Sequence, residues 1–403
     1  MNATPSANRV RIGFFGRRNA GKSSLVNAVT GQALSVVSDT PGTTTDPVRK
    51  AMELLPLGPV LVIDTPGFDD EGELGALRVQ KTREILREAD VAVLVVDASE
   101  GLKPADEELI KLFEENDTPF LVAINKSDLP HPQFSSLRSW QLRSMQHAAC
   151  CIDVSALTGH NIHELKEAVA RLVPRKEERR LLAGLLSPGD CAVLVTPIDA
   201  AAPKGRLILP QQQVLRDALD IGAYALVAKE TELADALARL NAPPALVITD
   251  SQVFAYVAGV APEDVPLTSF SILFARYKGF LEAAVEGVEA LQNLEEGASI
   301  LIAEGCTHHR QCDDIGTVKL PRWIQEKLGR GFSFSFCSGN EFPQDLSPYA
   351  LVLHCGGCML GEKALSARKK TAAAQGVPFT NYGVCIAWLQ GILNRCLQPL
   401  QGR

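Results

Sequence analysis

Between Arg9 and Pro174, short β-rich apolar runs alternate with longer stretches of helical periodicity. The runs are VRIGFFG, PVLVIDTPG, DVAVLVVDAS, PFLVAINKSD and CCIDVSA. Strand, loop and helix in strict turn predict a parallel sheet covered on both faces. A charged stretch opening at Pro174, PRKEERRLLAGLLSPGD, predicts an interdomain helix or linker with a solvated face. From Asp190 to Pro266, strands are expected at CAVLVTP, RLILP, YALVAK and ALVITD, between helical stretches such as QQQVLRDALDIG and TELADALARL. Beyond that, FSILFARYKGFLEAAVEGVEALQNL predicts one long helix, followed by strands at ASILIAEG, FSFSF, YALVLHCGGC and VPFTNY. The expected fold class is α/β throughout. A larger domain over residues 1–174 precedes two smaller α/β domains with mainly parallel sheets, 175–266 with the linker helix and 267–403.

Composition narrows the class. At 403 residues the chain is long enough for two or three cores. With 46% hydrophobic and 22% charged residues it reads as globular, not as disordered, collagen-like or coiled-coil. A net charge of −7 argues against gripping nucleic acid mainly through phosphates. The amino-terminal residues lack the charged head and apolar stretch of a secretory signal, and no apolar run reaches 18 residues. A soluble, cytoplasmic protein acting away from membranes and nucleic acid is expected. Reducing surroundings disfavour disulfides, so the ten cysteines read as buried thiols and a few metal ligands.

The first chemistry lies directly after the first strand. GRRNAGKSS fits G-x-x-x-x-G-K-S over Gly16 to Ser23, followed by a helical run. Such a P-loop turns backbone amides and a helix N-terminus toward phosphate oxygens. Gly16, Asn19, Ala20, Gly21, Lys22, Ser23 and Ser24 are its expected nucleotide-binding residues, with Lys22 on the β- and γ-phosphates and Ser23 on magnesium. Three more elements arrive in order. DTPG supplies Asp64 to the magnesium shell and the Gly67 amide to the γ-phosphate. NKSD supplies Asp128 for the guanine N1–H and 2-amino group, braced by Asn125 and Lys126, and Ser155, Ala156 and Leu157 place an amide at the guanine oxygen. Four elements in this order predict GTP binding.

Residues 10–172 resemble the Era and tRNA-modification GTPases. Their switch pattern stands here as GTTTD, Gly42 to Asp46. The resemblance implies that Thr44 closes on magnesium and acts in catalysis with Lys22 and Gly67. Phe68 stands where Ras-like enzymes carry the water-orienting glutamine, so slow hydrolysis is expected. In resembling GTPases with a hydrophobic residue there, potassium held partly by a residue matching Asn19 supplies the missing positive charge.

A second chemistry lies near the carboxyl terminus. GCTHH places Cys306 and His308 just after one predicted strand, and LHCGGC places His354, Cys355 and Cys358 just after another. If those strands are parallel neighbours, the half-sites face each other in the crevice where open α/β sheets bind ligands. Closing a loop of about 47 residues costs roughly 3 to 4 kcal/mol, against the order of 10 to 16 kcal/mol that thiolate–metal sites contribute. A Cys3His zinc site and an incompletely thiolate-bound 4Fe-4S cluster fit the spacing equally. A thioredoxin-like disulfide fits less well. His308 and His354 are candidate fourth ligands or hydrogen-bond partners; Asp190, Cys312 or solvent also fit an exchangeable position. His309 is expected to face solvent. Cys150, Cys151, Cys191, Cys337, Cys385 and Cys396 read as core thiols, and His131, His147, His160 and His163 as surface or core residues.

C-x-H, 45 residues, then H-C-x-x-C, combined with this GTPase pattern, resembles the maturation GTPases of iron-only (FeFe) hydrogenases over the whole chain. That resemblance implies a 4Fe-4S cluster on Cys306, Cys355 and Cys358, a middle region that mediates dimerisation, a homodimer or higher homo-oligomer, and carriage of a two-iron precursor. The implied partners are the hydrogenase apoprotein and radical-SAM maturases, and the implied cofactors are GTP, magnesium, potassium and the cluster. The rival reading is a zinc-containing GTPase of ribosomal or transfer RNA maturation.

Overall fold

The computed structural model describes residues 9–31, 47–68, 73–129, 150–174, 180–198, 207–305, 314–339 and 341–401. The chain divides into two compact units, Met1–Lys176 and Glu177–Arg403.

In the first unit the elements are β1 (Val10–Phe15), α1 (Lys22–Thr30), β2 (Val48–Leu54), β3 (Gly58–Asp64), α2 (Glu73–Glu88), β4 (Val91–Asp97), α3 (Pro104–Glu115), β5 (Phe120–Asn125), β6 (Cys151–Asp153) and α4 (Ile162–Leu172). The sheet order is β2-β3-β1-β4-β5-β6. β4 shows why it is covered on both faces. All seven residues are buried, and they alternate between two cores. Val91, Val93 and Val95 pack with Phe14, Leu25 and Leu165. Ala92, Leu94 and Val96 pack with Phe15, Ile85 and Phe113. Burying each such valine contributes on the order of 1.5–3 kcal/mol. One strand departs from the expected all-parallel sheet: β2 runs antiparallel to β3, Val48 opposite Asp64. Its sequence, VRKAMEL, is too polar to read as a strand because it forms an exposed edge.

The second unit comprises β7 (Cys191–Val195), α5 (Leu209–Ile221), β8 (Tyr224–Ala228), α6 (Leu233–Ala238), β9 (Leu246–Thr249), α7 (Phe254–Val260), β10 (Leu267–Ser269), α8 (Phe270–Tyr277), α9 (Leu281–Gln292), β11 (Ser299–Glu304), α10 (Leu320–Leu328), β12 (Ser333–Ser338), β13 (Leu351–His354), α11 (Glu362–Ala374), β14 (Phe379–Asn381), α12 (Tyr382–Leu389) and α13 (Leu393–Leu397). They form two parallel four-stranded sheets, β10-β9-β7-β8 and β12-β11-β13-β14. A single buried cluster joins residues of both, such as Val193 and Val247 with Ile300 and Leu353.

Three expectations fail here for local reasons. RLILP is no strand among its described residues, because Leu209 and Pro210 open α5, where proline's missing amide costs nothing. The described part of the charged stretch, from Arg180, is turn and not helix. The long helix is two: Gly279 adopts the left-handed conformation (φ 71°) and the Phe280 amide bonds back to the Ala275 carbonyl, a helix-ending arrangement. The first of the two, α8, is buried on two sides. Phe270, Leu273 and Phe274 face one core, and Ile272 and Ala275 the other.

Candidate functional site

In the first unit the chemistry gathers at the carboxyl edge of the sheet. Lys22 opens α1 after the loop that follows β1, and its Nζ donates to the carbonyls of Gly16 (2.9 Å) and Arg17 (2.7 Å) in that loop. Ser23 Oγ donates to Asp64 Oδ2 at 2.6 Å, across 41 residues of sequence. Asp64 is only 2% exposed, and its second oxygen, Oδ1, is buried without a hydrogen-bond partner. A hydroxyl and an underused buried carboxylate side by side form the hard oxygen pair that suits magnesium. Gly67 lies so close to the loop that a Cβ there would come within 3.0 Å of Arg18 backbone atoms, and the Phe68 amide donates to Gly16 O at 3.3 Å.

The base-recognition loops are tied to this loop through Asn125. Its Nδ2 donates to Ala20 O (3.1 Å), and its Oδ1 accepts from the Ala156 amide (3.1 Å). Ser155 Oγ donates to Asp128 Oδ1 at 2.5 Å, fixing an otherwise exposed carboxylate. Lys126 pairs with Asp97 at 2.5 Å. Burial would lift the Asp97 carboxyl, but hydrogen bonds from Lys126 and Ser99, together with the Lys126 charge, hold it below the usual carboxylate range. Asn19 is exposed, in the left-handed region at φ 61°.

In the second unit, β11 and β13 are parallel neighbours, Ala303 opposite His354. Their carboxyl ends therefore lie together. The Cys355 amide donates to Ala303 O at 2.9 Å, and Cys355 Sγ accepts from the amides of Gly305 (3.0 Å) and Gly357 (3.3 Å). The approach needs glycine: a Cβ on Gly305 would meet Leu360 Cγ at 2.9 Å and Gly357 Cα at 3.4 Å. Burial, reinforced by Cys355, pushes the Cys358 thiol up to about 11, with Lys278 pulling the other way. A bound metal would reverse that, since thiols are deprotonated on coordination.

His354 lies beneath this loop, fully buried. Arg368 donates to its Nε2 at 2.9 Å, which leaves Nδ1 to carry the proton and donate to Cys355 O at 2.7 Å. Its ring stacks on Phe379, centroids 5.6 Å apart. Both ring nitrogens are thereby engaged within the protein.

The comparisons with known proteins separate the two units. Residues 282–399 match the family model for the hydrogen maturase F tetramerization domain, and residues 181–279 match that for the hydrogen maturase F dimerization domain. The chain belongs to the hydrogen maturase F (HydF) family. Residues 11–126 match a model described as 50S ribosome-binding GTPase. GTPase Der of Natranaerobius thermophilus is 36% identical over 174 residues, 43% of this chain and 38% of that protein. The tRNA modification GTPase MnmE of Heliobacterium modesticaldum is 38% identical over 164 residues, 40% of this chain and 34% of that protein. This hydrogen maturase F chain thus spans less than two fifths of the length of those relatives. Era of Aquifex aeolicus bound to GDP and aluminium fluoride superposes with a TM-score of 0.38 at 22% identity, over 54% of this chain and 91% of that one.

Within the hydrogen maturase F chain, Thr44, Cys306, His308, His309, Cys312, His131 and His147 lie outside the described residues. Leu157 is 85% exposed, and Ser24 stands in the first turn of α1. Asp190 Oδ2 accepts from the Ser187 amide at 2.7 Å, in the turn before β7. His160 and His163 are exposed, and Cys385 and Cys396 are buried.

Sequence reasoning missed three residues at the edge holding Cys355. Cys337, read as a core thiol, is half-buried on the edge strand β12, opposite Ala303. Burial pushes it up to about 11, Arg368 opposes this, and Glu341, Cys355 and Glu304 add to the rise. Tyr382 Oη donates to Glu304 Oε1 at 3.2 Å, and burial with the Glu304 and Cys355 charges pushes the phenol well above its usual value. The available signal was positional, since each stands at a strand's carboxyl end.

Proposed function

We propose that this chain is a hydrogenase-maturation GTPase that also works as an iron–sulfur scaffold. It holds a 4Fe-4S cluster on Cys306, Cys355 and Cys358, and carries a two-iron precursor of the active site to iron-only hydrogenase. The observation that carries this reading is the Gly305 amide on Cys355 Sγ at 3.0 Å, one residue short of Cys306. The donor set supports it. Two amides directed at one sulfur suit a thiolate in a cluster, where such bonds tune the potential. When bound, the cluster supplies an iron with an exchangeable coordination position. With both His354 nitrogens engaged, that position falls to His308, Asp190, Cys312, solvent or a guest.

The nucleotide cycle follows from the first unit. Ser23 and Asp64 hold magnesium with Thr44, Lys22 reaches the β- and γ-phosphates, and the Gly67 amide meets the γ-phosphate. Water forms the new bond to γ-phosphorus as the bond to the β–γ bridging oxygen breaks, leaving GDP and phosphate. Phe68, buried in the core, offers no group to orient that water. Hydrolysis is accordingly slow, and potassium near Asn19 stimulates it. Release of the switch segments around Thr44 and Phe68 governs docking of the apoprotein and the radical-SAM maturases. The chain self-associates as a dimer or higher oligomer; β8, an edge strand with Tyr224 and Val227 exposed, offers an apolar edge to a second copy.

Anaerobic purification of the full chain followed by metal and sulfide analysis tests the scaffold reading. About four iron and four sulfide per chain are expected. Stoichiometric zinc without sulfide would replace this reading with that of a zinc-containing GTPase.

A further inference from the structure

We infer that Lys278 is the positioning residue of the Cys355–Cys358 loop: its ammonium clamps the loop carbonyls on both sides of Cys358 and places a fixed positive charge against the cluster seat. This deepens the cluster reading above and rests on it.

The helix break described above is what delivers this side chain. α8 stops at Tyr277, and Lys278 and Gly279 form the turn into α9. Continued as one helix, the backbone would carry residue 278 onward along the α8 axis instead of into this turn. In the turn, Lys278 Nζ donates to Gly357 O and to Leu360 O, the latter at 2.9 Å. Those carbonyls bracket Cys358 in the sequence. The same amine lies 5.7 Å from the centre of the Phe274 ring, and Cys358 packs against the core containing Phe270, Leu273 and Phe274. Lys278 and Cys358 therefore share one wall. A second tie fixes the turn itself, as Lys369 of α11 donates to Gly279 O at 2.9 Å.

The charge has a use in that place. Lys278 is half-buried, so water screens its charge only in part. One-electron reduction adds negative charge to a cluster whose ligands are already anionic. A fixed cation at the seat favours the reduced form and raises the potential.

The test uses the full chain, reconstituted anaerobically with iron and sulfide, as wild type and as Lys278→Met, Lys278→Gln and Lys278→Arg. Two quantities are read: the midpoint potential from a dithionite titration followed by electron paramagnetic resonance, and the rate of iron loss to a chelator. Lys278→Met is expected to show a more negative midpoint and iron loss several-fold faster, with Lys278→Arg restoring both. Lys278→Gln keeps a donor but no charge, so it should slow iron loss while leaving the midpoint low. It and the arginine variant decide the matter if the methionine variant does not fold. A glutamine or methionine variant with the wild-type midpoint overturns the role of the charge. A wild type that takes up no sulfide overturns the cluster reading itself, whereas a loaded wild type matched by every variant overturns only the lysine.

Discussion

Gly305 donates its amide to the thiol of Cys355 at 3.0 Å, although 50 residues separate them in the chain. The contact follows from the parallel pairing of β11 and β13, Ile300 opposite Leu351 through Ala303 opposite His354. Apolar strands in one buried core therefore work against the loop-closure cost.

The second unit should consequently stay folded without metal. Chelated protein is expected to keep its far-ultraviolet circular dichroism and a cooperative unfolding transition, unlike metal-stapled domains that unfold when apo. Collapse on chelation would mean that metal, not strand pairing, joins the two motif halves.

Asp64 and Ser23 should act together on magnesium. Asp64→Asn is expected to lower kcat for GTP hydrolysis about 10²- to 10³-fold, the range for removing one charge-stabilising group. Ser23→Ala should raise the magnesium concentration needed for half-maximal rate. The double variant should lose less than the product of the single losses, because the two groups are hydrogen-bonded at 2.6 Å. Strictly multiplicative losses in steady-state assays would argue against a shared ion.

Asp128→Asn should exchange the base preference. Losing two hydrogen bonds to a carboxylate at about 1.5–3 kcal/mol each predicts a ~10²- to 10⁴-fold fall in GTP affinity. Xanthosine triphosphate, which carries an oxygen where guanine carries the amino group, should gain. Calorimetric titration with both nucleotides reads the switch, and unchanged GTP affinity would displace Asp128 from the base.

The Asp97–Lys126 pair should make the first unit acid-sensitive. Its carboxyl is held below the unfolded value, so its contribution is present above about pH 4 and is lost as pH falls through the folded value. Thermal unfolding of Asp97→Asn should lie below wild type at pH 7, and the gap should close below about pH 4. A gap independent of pH would assign the loss to packing.

The nucleotide site was legible in the sequence because each of its parts is a short motif at a strand's end. Gly16 to Ser23, Asp64, Asn125 and Asp128 needed only the parallel sheet to meet. The cysteine loop was half legible: Cys355 and Cys358 could be named, but the approach of Gly305 to Cys355 depended on a pairing that no spacing encodes. Residues whose roles come from geometry alone were missed. β2 is too polar to look like a strand, Gly279 carries no mark that separates a helix stop from an internal glycine, and Cys337 looks apolar until the register sets it opposite Ala303. Lys278 is some 80 residues from the loop it holds, and nothing local announces the contact.

The central claim is that Cys306 joins Cys355 and Cys358 around one cluster. Iron and sulfide analysis with electron paramagnetic resonance of reduced, anaerobically reconstituted Cys306→Ser, beside the wild type and Cys358→Ser, addresses it most directly. The expected result is equal loss of iron, sulfide and the reduced-cluster signal in both variants, with circular dichroism unchanged. Full wild-type loading and signal in Cys306→Ser would contradict it.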